Sequence, residues 1–114
     1  VASTGHERVI EIYHSYSDAY ARRPRDLADA TTQAQATQIL ANGATLEAGY
    51  LEAARDALDA TGAAVEQAYQ DAVAARVAVN AAYQNAQALT AKIALVTAIC
   101  GKVSDLVKTA SGKG

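Results

Sequence analysis

Apolar positions near the start of the chain recur at alternating spacings of four and three. Val9, Tyr13, Tyr16 and Tyr20, with Ile10 beside them, fall on one stripe of a 3.6-residue helix. This spacing predicts a first helix over about 5–22. Ser3 or Thr4 can cap its start, because a short hydroxyl side chain accepts from a free N–H of the first turn, and Glu7 stands at the positive end of the helix dipole. Pro24 predicts a stop, since proline disfavours the α conformation at Arg23. A weaker stripe of Leu27, Ala30, Ala34, Thr37, Leu40 and Ala41 predicts a second helix over about 26–41, with Pro24 tolerated just ahead of its first turn. Asn42-Gly43 reads as the next stop, Gly43 being suited to a left-handed cap.

The remaining segment, about 45–110, contains no proline and carries a heptad pattern. One position holds Leu58, Val65, Ala72, Val79, Ala86, Ile93, Cys100 and Val107. The position three residues on holds Thr61, Ala68, Ala75, Ala82, Leu89, Val96, Val103 and Ala110. Only Thr61 breaks the apolar run, so the register meets a coiled-coil criterion. The flanking position carries Tyr69, Arg76, Tyr83 and Thr90 rather than a regular charge pattern, which predicts close-packed helices and not a free-standing zipper. Gly49 and Gly62 weaken the beginning of the segment. An unbroken helix from Ala63 to Cys100 would span about 57 Å at 1.5 Å per residue, longer than the roughly 35 Å across a compact globule of this size. Two architectures follow, both all-α. One is an elongated bundle of two shorter helices along a long alanine-rich helix. The other is a four-helix bundle in which the segment, breakable near Gly62, turns near Asn85. The whole chain, 1–114, reads as a single helical domain, with 111–114 as a flexible tail.

Composition supports helix and limits the core. Alanine occurs 29 times, while Phe, Trp and Met are absent, so the large side chains are Leu, Ile and six tyrosines. Small side chains bury little area per layer, which predicts an interface extended by length or by further chains. The net charge of −2 gives no basic field for nucleic acid. Residues 1–71 carry 11 acidic and 5 basic side chains, and residues 72–114 carry 1 and 5. That polarity favours antiparallel packing of the halves, within one chain or between chains. No run of 18 apolar residues predicts a transmembrane segment. The opening Val-Ala-Ser-Thr fits removal of an initiator Met or of an export signal, so no compartment is assigned.

Little in the chain carries chemistry. Glu7, Glu11, His14 and Asp18 share one face of the first helix. Glu11 and His14 form an E-x-x-H pair, of which di-iron bundles use two together with two further Glu. A second pair is absent from the chain, so a metal site at Glu11 and His14 needs a symmetric dimer. His6-Glu7 opens a zincin-like pattern, but Ile10 stands where the second His belongs. Arg22, Arg23 and Arg25 make a basic turn suited to a phosphate, neutralised locally by Asp18, Asp26 and Asp29. The tyrosines read as seam-adjacent rings with their hydroxyls at the rim. Cys100 lies on the seam and reads as a buried structural thiol, or as an interchain bridge where two copies pair.

These readings predict a non-catalytic helical protein, without cofactor, that acts by self-association as a subunit of an oligomer or filament. The predicted interface is Val65, Ala68, Ala72, Ala75, Val79, Ala82, Ala86, Leu89, Ile93, Val96, Cys100 and Val103. One alternative is a small bundle binding a metal or small ligand through Glu11 and His14. Another is an adaptor or export-related module whose seam a different helical protein completes.

Overall fold

In the computed structural model, which describes residues 2–112, Thr4 opens the first helix with a reciprocal cap. The Glu7 N–H donates to the Thr4 hydroxyl at 3.1 Å, and the Thr4 N–H donates to the Glu7 carboxylate at 2.9 Å. Thr32 and Gln35 repeat this capping box at the second helix. The helices are α1 (Gly5–Asp29), α2 (Gln33–Asp56), α3 (Ala63–Gln84) and α4 (Leu89–Ala110). The described residues form these four helices and no strand, so the fold is an all-α bundle.

Two predicted stops are not stops. Pro24 lies inside α1, which continues to Asp29. A proline removes one N–H···O bond and crowds the carbonyl four residues back. Here both Pro24 and Tyr20 are exposed, so water can solvate that carbonyl. Asn42-Gly43 lies inside α2, buried. The Gln38 amide donates to the Asn42 side chain at 2.8 Å, and the Asn42 amide donates to the Thr97 hydroxyl at 3.0 Å. Gly43 faces the Arg23 guanidinium on α1. Packing on two neighbours overrides the local turn preference.

The long segment is not one helix. Residues 57–62 and 85–88 interrupt it, near the two positions where the sequence allowed a break. Gly62 stands ahead of α3 with φ 121°, a conformation open to glycine. At the second break Ala86 takes φ 52°. The Ala86 N–H donates to the Tyr83 carbonyl at 3.3 Å and the Gln87 N–H to the Ala82 carbonyl at 3.0 Å. This is a Schellman turn with alanine where glycine is usual, which is why no glycine marks it. The longest dimension of the molecule is 43 Å, set by helices of 22 to 25 residues. Ser111 caps α4 and Gly112 has φ 77°; the rest of the predicted tail, 113–114, lies outside the described residues.

Each hairpin, α1–α2 and α3–α4, is antiparallel. α4 packs beside α2, and α1 packs against α3 and α4, while the α2 and α3 backbones do not meet. The inward stripe of α1 is Arg8, Ile12, Ser15, Ala19, Arg22 and Asp26, one position off the stripe drawn through the tyrosines. The largest fully buried side chains are Ile12, Leu46, Leu58, Val103 and Leu106. Gly49 lets α2 and α4 approach closely, because a Cβ there would stand 2.9 Å from a Val103 methyl.

Arg8, only 2% exposed, clasps the end of the bundle. Its guanidinium donates to the carbonyls of Leu58 at 2.6 Å, Ala60 at 2.8 Å and Ser3 at 2.8 Å, and to Glu66 on α3 at 3.0 Å. The Ala60 N–H donates to the Ala110 carbonyl at 2.9 Å, tying the same loop to α4. The Ser3 N–H and hydroxyl, together with Arg8, hold the Glu66 carboxyl below its ordinary value of 4.5. A lowered pKa in the folded state adds stability above the unfolded value, and this is lost as pH falls through the folded value. Acid unfolding below about pH 4.5 is therefore expected to be less steep in Glu66→Gln than in wild type, read by circular dichroism. Identical acid limbs would remove Glu66 from the account.

Candidate functional site

The predicted interface residues lie mostly within the chain's own core. Val65, Ala72, Val79, Ala82, Cys100 and Val103 are buried, Ala68, Ala75, Leu89, Ile93 and Val96 are half-buried, and Ala86 is exposed in the turn. The heptad pattern is met by α3 folding back on α4 with α1 and α2 against them. A second copy reaches the buried ones among them only by opening the bundle.

Glu11 and His14 are not brought to a common site. The Glu11 carboxylate is buried and accepts both Nε and NH2 of Arg76, at 2.5 and 3.1 Å. His14 is exposed beside the Tyr13 ring. Among the described residues, no group of three or more His, Cys, Asp or Glu is gathered to hold a metal ion. Cys100 donates to the Asn42 carbonyl at 3.5 Å, and burial pushes its thiol up to about 11. Such a thiol is mostly protonated at neutral pH and a poor nucleophile.

The α1–α3 contact is a polar ladder. Besides Arg8–Glu66 and Glu11–Arg76, Arg22 donates to Asn80 at 2.6 Å, and the Tyr83 hydroxyl donates to Asp26 at 2.5 Å. Burial and the Asp26 carboxylate raise the Tyr83 hydroxyl above the ordinary phenol range. Arg22 and Lys92 both lie over the Tyr83 ring, at 4.2 and 4.7 Å from its centroid. Desolvated cations gain from that negative face. The basic turn is thereby divided: Arg22 points to α3, Arg23 lies over the Tyr20 ring at 5.0 Å, and Arg25 is exposed.

Four of the six tyrosines gather on the outer face of the first hairpin, two of them more exposed than their seam-adjacent reading implied, while Tyr69 and Tyr83 are half-buried on α3. Tyr13 is 43% and Tyr20 58% exposed. Tyr50 of α2 joins them: its ring stacks on Tyr16 at 5.6 Å and 4°, and meets Tyr13 at 5.2 Å. Tyr16 lies 6.4 Å from Tyr13 and 6.2 Å from Tyr20, which makes one continuous aromatic surface. The Tyr16 hydroxyl reaches Glu47 at 3.5 Å. Ile10 extends the surface on α1. Leu40 and Leu51, three helical turns apart, lie with Glu47 on one stripe of α2 and are both half or more exposed.

A recess also opens among all four helices. It is lined by apolar side chains of α2, α3 and α4 and by Asp18, Arg22, Arg23, Asp26 and Arg76, with Asn42, Gly43 and Tyr83 on its wall.

Comparison of the chain with protein-family models, curated proteins and solved structures returned no match. The arrangement therefore rests on its own residues. Arg8 was not among the predicted site residues, because its acceptors are backbone carbonyls about fifty positions away that no side-chain pattern announces. Tyr50 was missed as a partner of the first stripe because nothing in the spacing within α1 refers to α2.

Proposed function

We propose that this chain is a non-catalytic helical bundle that acts by self-association, through the outer face of the α1–α2 hairpin rather than through the heptad seam. The observation that carries this reading is the continuous set of Tyr13 and Tyr20, exposed, and Tyr16 and Tyr50, half-buried and stacked between them, in ring-to-ring contact with Ile10, Leu40 and Leu51 alongside. Tyrosine supplies large contact area at a small entropic cost, having only two side-chain torsions, and the stacking fixes part of it before binding. Tyr and Arg are also the residue types that concentrate energy at the centre of interfaces. The face carries both signs of charge, Arg23 over Tyr20 and Glu47 beside Tyr16. A two-fold pairing of one such face with itself sets opposite charges together. A net charge of −2 adds little repulsion between copies.

Light scattering on a sizing column, across about a hundredfold range of concentration, tests this. The expected result is a mass above one chain that falls to one chain in Tyr13→Ser/Tyr50→Ser, with helicity retained. A wild type that stays monomeric throughout would end the self-association reading. An oligomer unchanged in the double variant would move it off the tyrosine face.

A further inference from the structure

Over the half nearest the 85–88 turn, the outer face of the second hairpin carries no charge. From Ala72 to Gly101 the only charged residues are Arg76 and Lys92. Both turn inward: Arg76 is held by Glu11 on α1, and Lys92, 7% exposed, lies over the Tyr83 ring. What is left outside is apolar. On α3, Ala74, Val77 and Ala81 follow a 3-4 spacing and share one stripe, with Val77 57% exposed. On α4, Ala94 and Ala98 are exposed and Leu95 is half-buried beside them. Each hairpin packs on the other through its inner side, so this face and the tyrosine face stand on opposite sides of the bundle.

The two hairpins differ in charge and in relief. α1 and α2 carry 8 acidic and 5 basic side chains, while α3 and α4 carry 3 and 4. A two-fold pairing of the tyrosine face joins opposite charges at Arg23 and Glu47, but it also sets one net-acidic hairpin on another. Stacking the tyrosine face on the second hairpin opposes unlike net charges instead. Its charge-free centre is also buried without stranding an ion away from water. Relief points the same way. Tyr13 and Tyr20 stand out as bulky exposed rings, and two such surfaces meet ridge on ridge. The alanine rows of α3 and α4 are low, and large side chains of one surface pack into the low places of another.

We infer that the tyrosine face docks on the α3–α4 outer face of a second copy, head to tail. The inference rests on self-association through the tyrosines and names the surface they meet. Because the two faces lie on opposite sides of one molecule, every docked copy still offers a free face. Assembly therefore continues into an open filament unless the rotation from copy to copy closes a ring.

Complementation between two variants tests this, with mass read by light scattering and helicity by circular dichroism. Tyr13→Ser/Tyr50→Ser disables one face and Val77→Glu/Ala94→Glu the other. Val77 and Ala94 are both exposed and glutamate is a good helix former, so the second variant keeps its fold. Wild type is expected to grow beyond two chains as concentration rises. Each double variant alone should run as a single chain. Their equimolar mixture should double in mass, because each supplies the face the other lacks. Three results each overturn the head-to-tail docking while leaving self-association itself standing: a wild-type mass that stops at two chains, a Val77→Glu/Ala94→Glu variant that still dimerises alone, or a mixture that stays at one chain. A wild type that is monomeric throughout ends both readings.

Discussion

Arg8→Ala is expected to destabilise the bundle by about 3–5 kcal/mol. The substitution removes no large apolar group. Its cost comes from what is left behind: the carbonyls of Leu58 and Ala60 lose their charged donor, and Glu66 loses its ion-pair partner. An unmet buried acceptor costs about 1–3 kcal/mol, which applies in full to Leu58 and in part to the half-buried carbonyls of Ala60 and Ser3. Against a total stability of about 5–15 kcal/mol for a domain, that is a large share. Arg8→Lys should recover little, because one ammonium cannot span carbonyls that the guanidinium fork reaches together. Urea unfolding monitored by circular dichroism measures the change. A midpoint within error of wild type would mean that water replaces the clasp at no cost.

Ala82→Asp is expected to be worse still, about 4 kcal/mol or more. Ala82 is 1% exposed, at the last turn of α3. A carboxylate there has no partner and no water. Because the position is buried by the chain's own helices, the loss is expected in helicity itself, at every protein concentration. If Ala82 instead packed only against a second copy, the variant would stay helical and merely become monomeric. The two outcomes separate an intramolecular seam from an intermolecular one. Ala75→Asp, at a half-buried position, should show the same effect more weakly.

What the sequence made legible follows physical range. The start of α1 was readable, because Thr4 and Glu7 act within one turn. The breaks near 62 and 85 were readable as places of weakness. The cap at Thr32 and Gln35 had an equally local signature, but the stop assigned to Asn42-Gly43 drew the second helix onto the wrong residues. Pro24 and Asn42-Gly43 were over-read because their local preferences are small beside the packing of buried Asn42 and Gly43, and because Pro24 meets water. The inward stripe of α1 was hidden by its composition. A face of Arg8, Ser15, Arg22 and Asp26 does not look like a core, and it becomes one only because α3 and the 57–62 loop bring the acceptors and donors that satisfy it. The tyrosine stripe was legible as a stripe, but its exposure depended on which face α3 and α4 chose to cover.

The loop at 57–62 is the only covalent link between the two hairpins, and α2 and α3 do not pack on each other. Were it to straighten, α2 and α3 would join end to end, and each hairpin would find its complement in another chain, with the contacts of helix on helix kept and only those of the loop, Leu58 among them, given up. The Arg8 clasp on Leu58 and Ala60 holds that loop bent. It therefore guards the chain against domain swapping: weakening it lowers the barrier to exchanging halves while leaving the packing of helix on helix in the exchanged product unchanged.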